Sequence, residues 1–134
     1  ELDYIGVDAY FPLVQDQTPT TSQIKYALLQ PLNELRIVSN SNNKPILFTE
    51  FGYRSVDYTA HKPWEAGREG TVNLQGQINA CEAFFKTFWH QTFIEGGFIW
   101  KWFANHQEVG GEKNNGFTPQ NKPVEKVIKE WYSF

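Results

Sequence analysis

Methionine is absent from the 134 residues, and cysteine occurs once, as Cys81. A single thiol makes neither an internal disulfide nor a cysteine cage for a metal. Cys81 lies in a helical apolar pattern and is expected to be a buried, inert thiol. No apolar run approaches the ~18–20 residues of a membrane span, so no membrane partner is expected. An excess of one charge is also missing: the net charge is −3, with acids and bases interspersed. No basic patch alternates with aromatics, which leaves nucleic-acid binding unsupported. No secretory leader pattern is present. No glycine-rich phosphate loop follows a strand-like run, which argues against nucleotide binding. With no Met, and with Glu1-Leu2-Asp3-Tyr4 already reading as strand, the expectation is a processed or truncated piece whose cut falls inside a domain.

Aromatic residues, in contrast, are abundant: five Trp, six Tyr and eleven Phe make up 16% of the chain. Such side chains fill cores and also form flat platforms in binding sites. Three strand-then-helix units follow one another. The first strand is expected from Asp3 to Tyr10, ended by Phe11-Pro12-Leu13, since proline cannot continue a ladder. A helix from about Ser22 to Ser39 follows, with Pro31 opening its second piece and Leu28, Leu32, Leu35 and Val38 on one face. Ser39 to Lys44 reads as a turn cluster, and Pro45 to Phe51 as a strand apolar enough to be buried on both faces. A long loop over 53–72, containing Trp64 and Arg68, leads to a helix from Asn73 to Phe93 that buries Ile78, Cys81, Phe85 and Phe88. The third strand is expected at Gly97 to Phe103. A polar loop to Lys122 then leads to a last helix from Val124 to Tyr132 that buries Val124, Val127, Ile128 and Trp131.

The βαβαβα order without hairpin signals means parallel strands with helical crossovers. The fold class is therefore α/β, either an open sheet or part of a (β/α)8 TIM barrel. A whole barrel needs roughly 200–250 residues, so three units cannot close one; read as a barrel, they are its last three of eight.

Residues of the same parity share a strand face. On that rule Ile46, Phe48 and Glu50 lie together, with Glu50 at the C-terminal strand end. Asp8 and Tyr10 share a face at the end of the first strand, and Trp100 and Trp102 near the end of the third. Neighbouring strands thus bring carboxylates, a phenol and indoles to one end of the sheet. Sugar hydrolysis uses a carboxylate on the anomeric carbon and an aromatic face beneath the ring. The bland alternatives are an ion pair at the sheet rim for Glu50 and core packing for Trp102.

The stretch Pro45-Ile-Leu-Phe-Thr-Glu-Phe-Gly-Tyr-Arg-Ser55 resembles the seventh-strand signature of clan A glycoside hydrolases, and more narrowly glycoside hydrolase family 113, the retaining β-1,4-mannanases. Asp3-Tyr-Ile-Gly-Val-Asp-Ala-Tyr-Phe-Pro-Leu13 resembles that family's sixth strand, and Gly97-Phe-Ile-Trp-Lys-Trp-Phe103 its eighth. Gly116-Phe-Thr-Pro119 with Asn121-Lys-Pro123 resembles the approach to its final helix. The resemblance implies that residues 1–134 are the C-terminal portion of one barrel domain. It implies Glu50 as nucleophile, Tyr10 as the residue that orients it, and Trp102 as the platform under the reacting sugar. Asp8, Trp100 and Trp64 are further candidates for substrate contact, Trp64 equally as a loop anchor. Arg54 and Lys101 are read as structural ion partners.

Retention requires a second carboxylic acid ~5–5.5 Å from the nucleophile. In clan A that acid ends the fourth strand, and Glu34, Glu65, Glu82 and Glu108 lack its Asn-Glu context. The parent is thus expected to be an endo-acting β-1,4-mannan hydrolase, completed by the N-terminal remainder of the barrel, with residues 1–134 alone inactive. No cofactor or metal is implied; the partner is an oligo- or polysaccharide, and the compartment is left unknown, a secreted or cell-envelope setting being one that suits a polysaccharide hydrolase. Alternatives are a clan A hydrolase of another β-glycan, a non-catalytic carbohydrate-binding barrel, and a half-barrel that closes by self-association.

Overall fold

Parallel pairing organises the chain around β1 (Ile5–Asp8), β2 (Ile46–Phe51) and β3 (Ile94–Ile99), in that spatial order. The computed structural model describes residues 2–67 and 69–133; Glu1, Arg68 and Phe134 lie outside them. Four helices complete the order: α1 (Thr21–Ala27) and α2 (Leu29–Asn42) between the first two strands, α3 (Leu74–Phe88) before β3, and α4 (Val124–Tyr132) at the end. A 3-10 turn spans His106–Glu108. Among the described residues no helix is long and apolar enough to cross a membrane.

Local chemistry sets the helix ends. Thr20 and Gln23 form a capping box that opens α1: the Gln23 N–H donates to Thr20 Oγ1, and the Thr20 N–H to Gln23 Oε1. The break before α2 falls at Leu28, three residues ahead of the expected position. A proline ring clashes with the carbonyl four residues back, and for Pro31 that residue is Ala27, the last of α1. Helix α2 continues through the expected turn cluster to Asn42 and stops at Asn43, whose φ of 49° is the left-handed cap that Asn tolerates. Its buried face runs Leu28, Leu32, Leu35 and Ser39, while Val38 is exposed. Ser39 satisfies its hydroxyl by donating to the Lys44 carbonyl at 2.7 Å.

Helix α3 begins after Asn73, whose Oδ1 accepts from the Gly76 N–H at 2.8 Å. It ends at Phe88 rather than Phe93: the Gln91 N–H turns back onto the Phe88 carbonyl at 3.1 Å, and the Phe93 carbonyl accepts from the Ile46 N–H at 2.8 Å. The third strand therefore starts at Ile94 and ends at Ile99, ahead of the expected Gly97–Phe103, and Trp100 and Trp102 lie beyond it. Gly97 sits inside the strand, where a Cβ would press on Phe48 and Phe51 of the neighbour.

The core lies between the sheet and α3. Phe48 and Phe51 of β2 meet Phe84, Phe85 and Phe88, all five rings fully buried. Phe51 stacks on Phe84 with centroids 4.4 Å apart and planes 3° from parallel. Burying each such side chain stabilises the fold by ~1.5–3 kcal/mol. Cys81 belongs to this core as expected; burial pushes its thiol up to about 12. The opposite face of the sheet carries Asp8, Thr49 and Phe98, all exposed.

Candidate active site

Glu50 owes its position to an irregularity in β2. Val7 pairs with Phe48 and Asp8 with Glu50, so one extra residue of β2 is accommodated between those pairs. The same excess appears against β3, where Phe48 pairs with Gly97 and Phe51 with Ile99. Phe48 and Phe51, three apart, therefore both pack on α3, which strict alternation forbids. This corrects the expectation that Glu50 shares a face with Ile46 and Phe48. The bulge resets the phase and turns Thr49 and Glu50 away from the helices toward the open face.

Tyr10 donates from its hydroxyl to Glu50 Oε2 at 3.0 Å. Tyr10 lies just past β1, not in it: its N–H folds back onto the Asp8 carbonyl at 3.0 Å, while the Ala9 N–H pairs with the Glu50 carbonyl at 2.7 Å. Half-burial first, then the hydrogen bond and the charge of Glu50, hold the Tyr10 hydroxyl well above its usual range. It thus remains a proton donor throughout the neutral range. The Phe117 ring stands edge-on to it, centroids 6.3 Å apart. Asp8 accepts from Thr49 Oγ1 at 2.6 Å, so both members of the bulge are tied to β1. The bond from Tyr10 is neutral-to-anionic and leaves Glu50 partly open to solvent, unlike an ion pair at a sheet rim.

Trp100 is fastened beside Glu50 through the backbone: its N–H donates to the Phe51 carbonyl at 2.7 Å. Gly52 makes this approach possible, since a Cβ there would collide with the Trp100 carbonyl oxygen. Gly52→Ala is accordingly expected to destabilise the protein by ~1–3 kcal/mol through forced separation of the two strand exits. Equilibrium unfolding in urea checks this; an unchanged midpoint contradicts it.

Trp102, nearly half exposed, points its ring toward His106, centroids 6.0 Å apart. His106 Nε2 lies 2.5 Å from Glu125 Oε1. Burial pushes the Glu125 carboxyl up, but hydrogen bonds from His106 and the Asn121 N–H prevail and hold it below its usual range. The buried Gln120 grips the next residue from both sides, accepting from the Phe103 N–H at 2.6 Å and donating to the Phe103 carbonyl at 3.0 Å. Lys101 rests over the rings of Trp100 and Phe103, and Arg54 donates to the carbonyls of Asn115 and Glu69. These contacts run through rings and carbonyls, where ion pairs were expected.

A Glycoside Hydrolase Family 113 sequence model matches residues 1–122. The chain belongs to glycoside hydrolase family 113. Two solved structures of GH113 β-1,4-mannanase, one of them a complex, superpose with a TM-score of 0.79 at 25% identity, covering 98% of this chain and 39% of theirs. The GH113 β-mannanase AaManA of Alicyclobacillus acidocaldarius, in complex with ManMIm, superposes with a TM-score of 0.77 at 23% identity, over 96% of this chain and 38% of that one. Comparison with curated sequences finds no match. The chain therefore spans about two fifths of the mannanases it matches, and its three parallel βα units are part of a TIM barrel.

Within this GH113 chain the site residues divide into two groups. Tyr10, Glu50, Asp8 and Thr49 form one bonded cluster, with the Trp100 backbone adjoining it. Trp102 on His106 and the half-exposed Trp64 of the β2–α3 loop make up the other; among the described contacts neither shares a hydrogen bond or ring contact with that cluster. The loop borders a cleft of about 460 Å³ lined by Arg54, Asp57, His61 and Pro63, among others, but not by Glu50. Thr49, Gly52 and Gln120 escape sequence reading, although a glycine two residues after a strand-end glutamate is a visible signal of close backbone approach. Among the described residues no group of three His, Cys, Asp or Glu side chains is arranged to hold a metal.

Proposed function

We propose that this GH113 chain supplies strands six to eight of a retaining endo-β-1,4-mannanase, with Glu50 as its nucleophile. The observation that carries the reading is the Tyr10 hydroxyl on Glu50 Oε2 at the exits of adjoining parallel strands. Barrel enzymes place their chemistry at that end of the sheet. Tyr10 restrains one carboxylate oxygen and leaves the other to attack the anomeric carbon, giving a covalent glycosyl-enzyme that water then hydrolyses. Trp100 and Trp102 offer apolar faces for sugar rings. The acid that protonates the leaving oxygen lies outside residues 1–134, so these residues alone are inactive. Mannan as substrate draws its support from family membership and from the mannanase structures that match.

The test is to trap the covalent intermediate. The complete barrel is incubated with an activated 2-deoxy-2-fluoro-mannoside, and the labelled peptide is identified by mass spectrometry. The expected label falls on Glu50. A label on any other carboxylate removes the assignment. Saccharide binding without either adduct or turnover leaves a carbohydrate-binding barrel.

A further inference from the structure

Lys122 is a buried cation, 4% exposed, whose nearest hydrogen-bond acceptors are all neutral. Its Nζ donates to Ser55 Oγ at 2.9 Å, to Asn114 Oδ1 at 3.0 Å and to the Gly116 carbonyl at 2.9 Å. Three N–H groups thus meet three oxygens, the full capacity of an ammonium. An unpaired buried charge is costly, and such bonding is what makes it tolerable.

The three acceptors come from two different loops. Ser55 lies in the β2–α3 loop, five residues after Glu50, while Asn114 and Gly116 lie in the β3–α4 loop that carries Trp100 and Trp102. Further bonds cross the same seam. Ser55 Oγ donates to the Asn114 carbonyl at 2.5 Å, the Ser55 N–H to the Gly116 carbonyl at 3.2 Å, and Arg54 Nε to the Asn115 carbonyl at 3.1 Å. The Gly116 N–H closes the turn onto Asn114 Oδ1 at 2.8 Å, the same oxygen that Lys122 holds. Lys122 is therefore the hub on which the seam converges.

We propose that Lys122 is a positioning residue: acting through Ser55, Asn114 and Gly116, it locks the loop that follows Glu50 to the loop that follows Trp100, so that nucleophile and platform share one rigid rim. The inference rests on the reading of Glu50 as nucleophile for its catalytic consequence, but not for its structural one. Two titratable groups from neighbouring elements face the ammonium: Cys81 from α3, and the Arg54 guanidinium from the β2–α3 loop. Burial lowers the Lys122 ammonium to about 8, Cys81 opposing this and Arg54 adding to it.

The test uses Lys122→Met and, as a milder variant that keeps the cation, Asn114→Ala, both in the complete barrel. Hydrogen exchange in Lys122→Met is expected to rise at least tenfold at residues 53–56 and 114–117 and less than twofold along α3. Turnover is expected to fall at least tenfold with KM within about twofold, the pattern of a displaced reacting group rather than of lost substrate contact. Asn114→Ala is expected to show the same pattern at smaller amplitude, and it decides the matter if Lys122→Met fails to fold. Unchanged exchange at the seam, or loosening spread evenly over the fold, overturns the latch. The wild type adds a signature in pH. The unfolded chain keeps the proton up to the ordinary value of 10.5 while the fold releases it near 8, so the Lys122 contribution to stability rises with pH across that window; the raised Cys81 thiol acts the other way above pH 9, and the rise is therefore read as wild type minus Lys122→Met. If turnover survives Glu50→Gln, the nucleophile assignment is lost, while the exchange pattern still decides the latch.

Discussion

Glu50→Gln in the complete barrel is expected to abolish turnover while leaving saccharide affinity nearly intact. The substitution keeps the shape of the side chain, and the amide oxygen still accepts the Tyr10 hydroxyl bonded to Glu50 Oε2. An amide oxygen carries no full negative charge and does not form the glycosyl-enzyme, so the two-step route is closed. Loss of a catalytic nucleophile costs on the order of 10⁴-fold or more in turnover, at least about 5.5 kcal/mol of barrier at ~1.4 kcal/mol per tenfold. Binding draws on aromatic faces and loops that the substitution leaves in place. Turnover within a few-fold of wild type, with the Gln confirmed by mass, ends the proposal. Weak binding together with lost turnover points instead to collapse of the bulge.

The Glu50 cluster was legible in part. Strand order, the pairing of neighbouring strand ends and the choice of Tyr10 and Glu50 all follow from reading residues 3–51 as strand, helix, strand. The face on which Glu50 sits does not. Alternation places Glu50 with Ile46 and Phe48, yet one extra residue in β2 resets the phase, and Phe51 takes the core position. Nothing in Phe48-Thr49-Glu50-Phe51 marks that insertion, because it is set by pairing with β1 and β3. The placing of these side chains at one end of the sheet rests on an alternation rule that the bulge breaks, yet Tyr10 and Glu50 still meet there.

The third strand failed for a different reason. Sequence reading carries the helix on to Phe93 and opens the strand only at Gly97. In the fold the Phe93 carbonyl already serves β2, and Gly97 is mid-strand because Phe48 and Phe51 leave no room for a side chain. Gln120 and Lys122 were invisible as functional candidates. Gln120 bonds Phe103, 17 positions away, and Lys122 bonds Ser55, 67 positions away. Local periodicity carries no trace of such partners, and a buried lysine looks like any other loop lysine in sequence.

Phe84→Ala is expected to have the largest effect on stability. Its fully buried ring touches Phe48, Phe51, Phe85 and Phe88, and stacks on Phe51. Truncating a buried phenylalanine costs roughly 3–5 kcal/mol through lost burial and the cavity left behind. Domain stabilities are only about 5–15 kcal/mol, so this is a large share. The cost carries a functional consequence. Phe48 and Phe51 flank Thr49 and Glu50, and both rest on the Phe84 ring, so the cavity lies under both feet of the bulge. Phe84→Leu refills most of that space and is expected to recover at least half of the lost stability. Urea unfolding of the complete barrel, with the slope checked for two-state behaviour, measures both variants. A loss below about 1 kcal/mol for Phe84→Ala would mean that β2 is held by its strand neighbours rather than by α3, since a ring in this setting cannot otherwise be removed so cheaply.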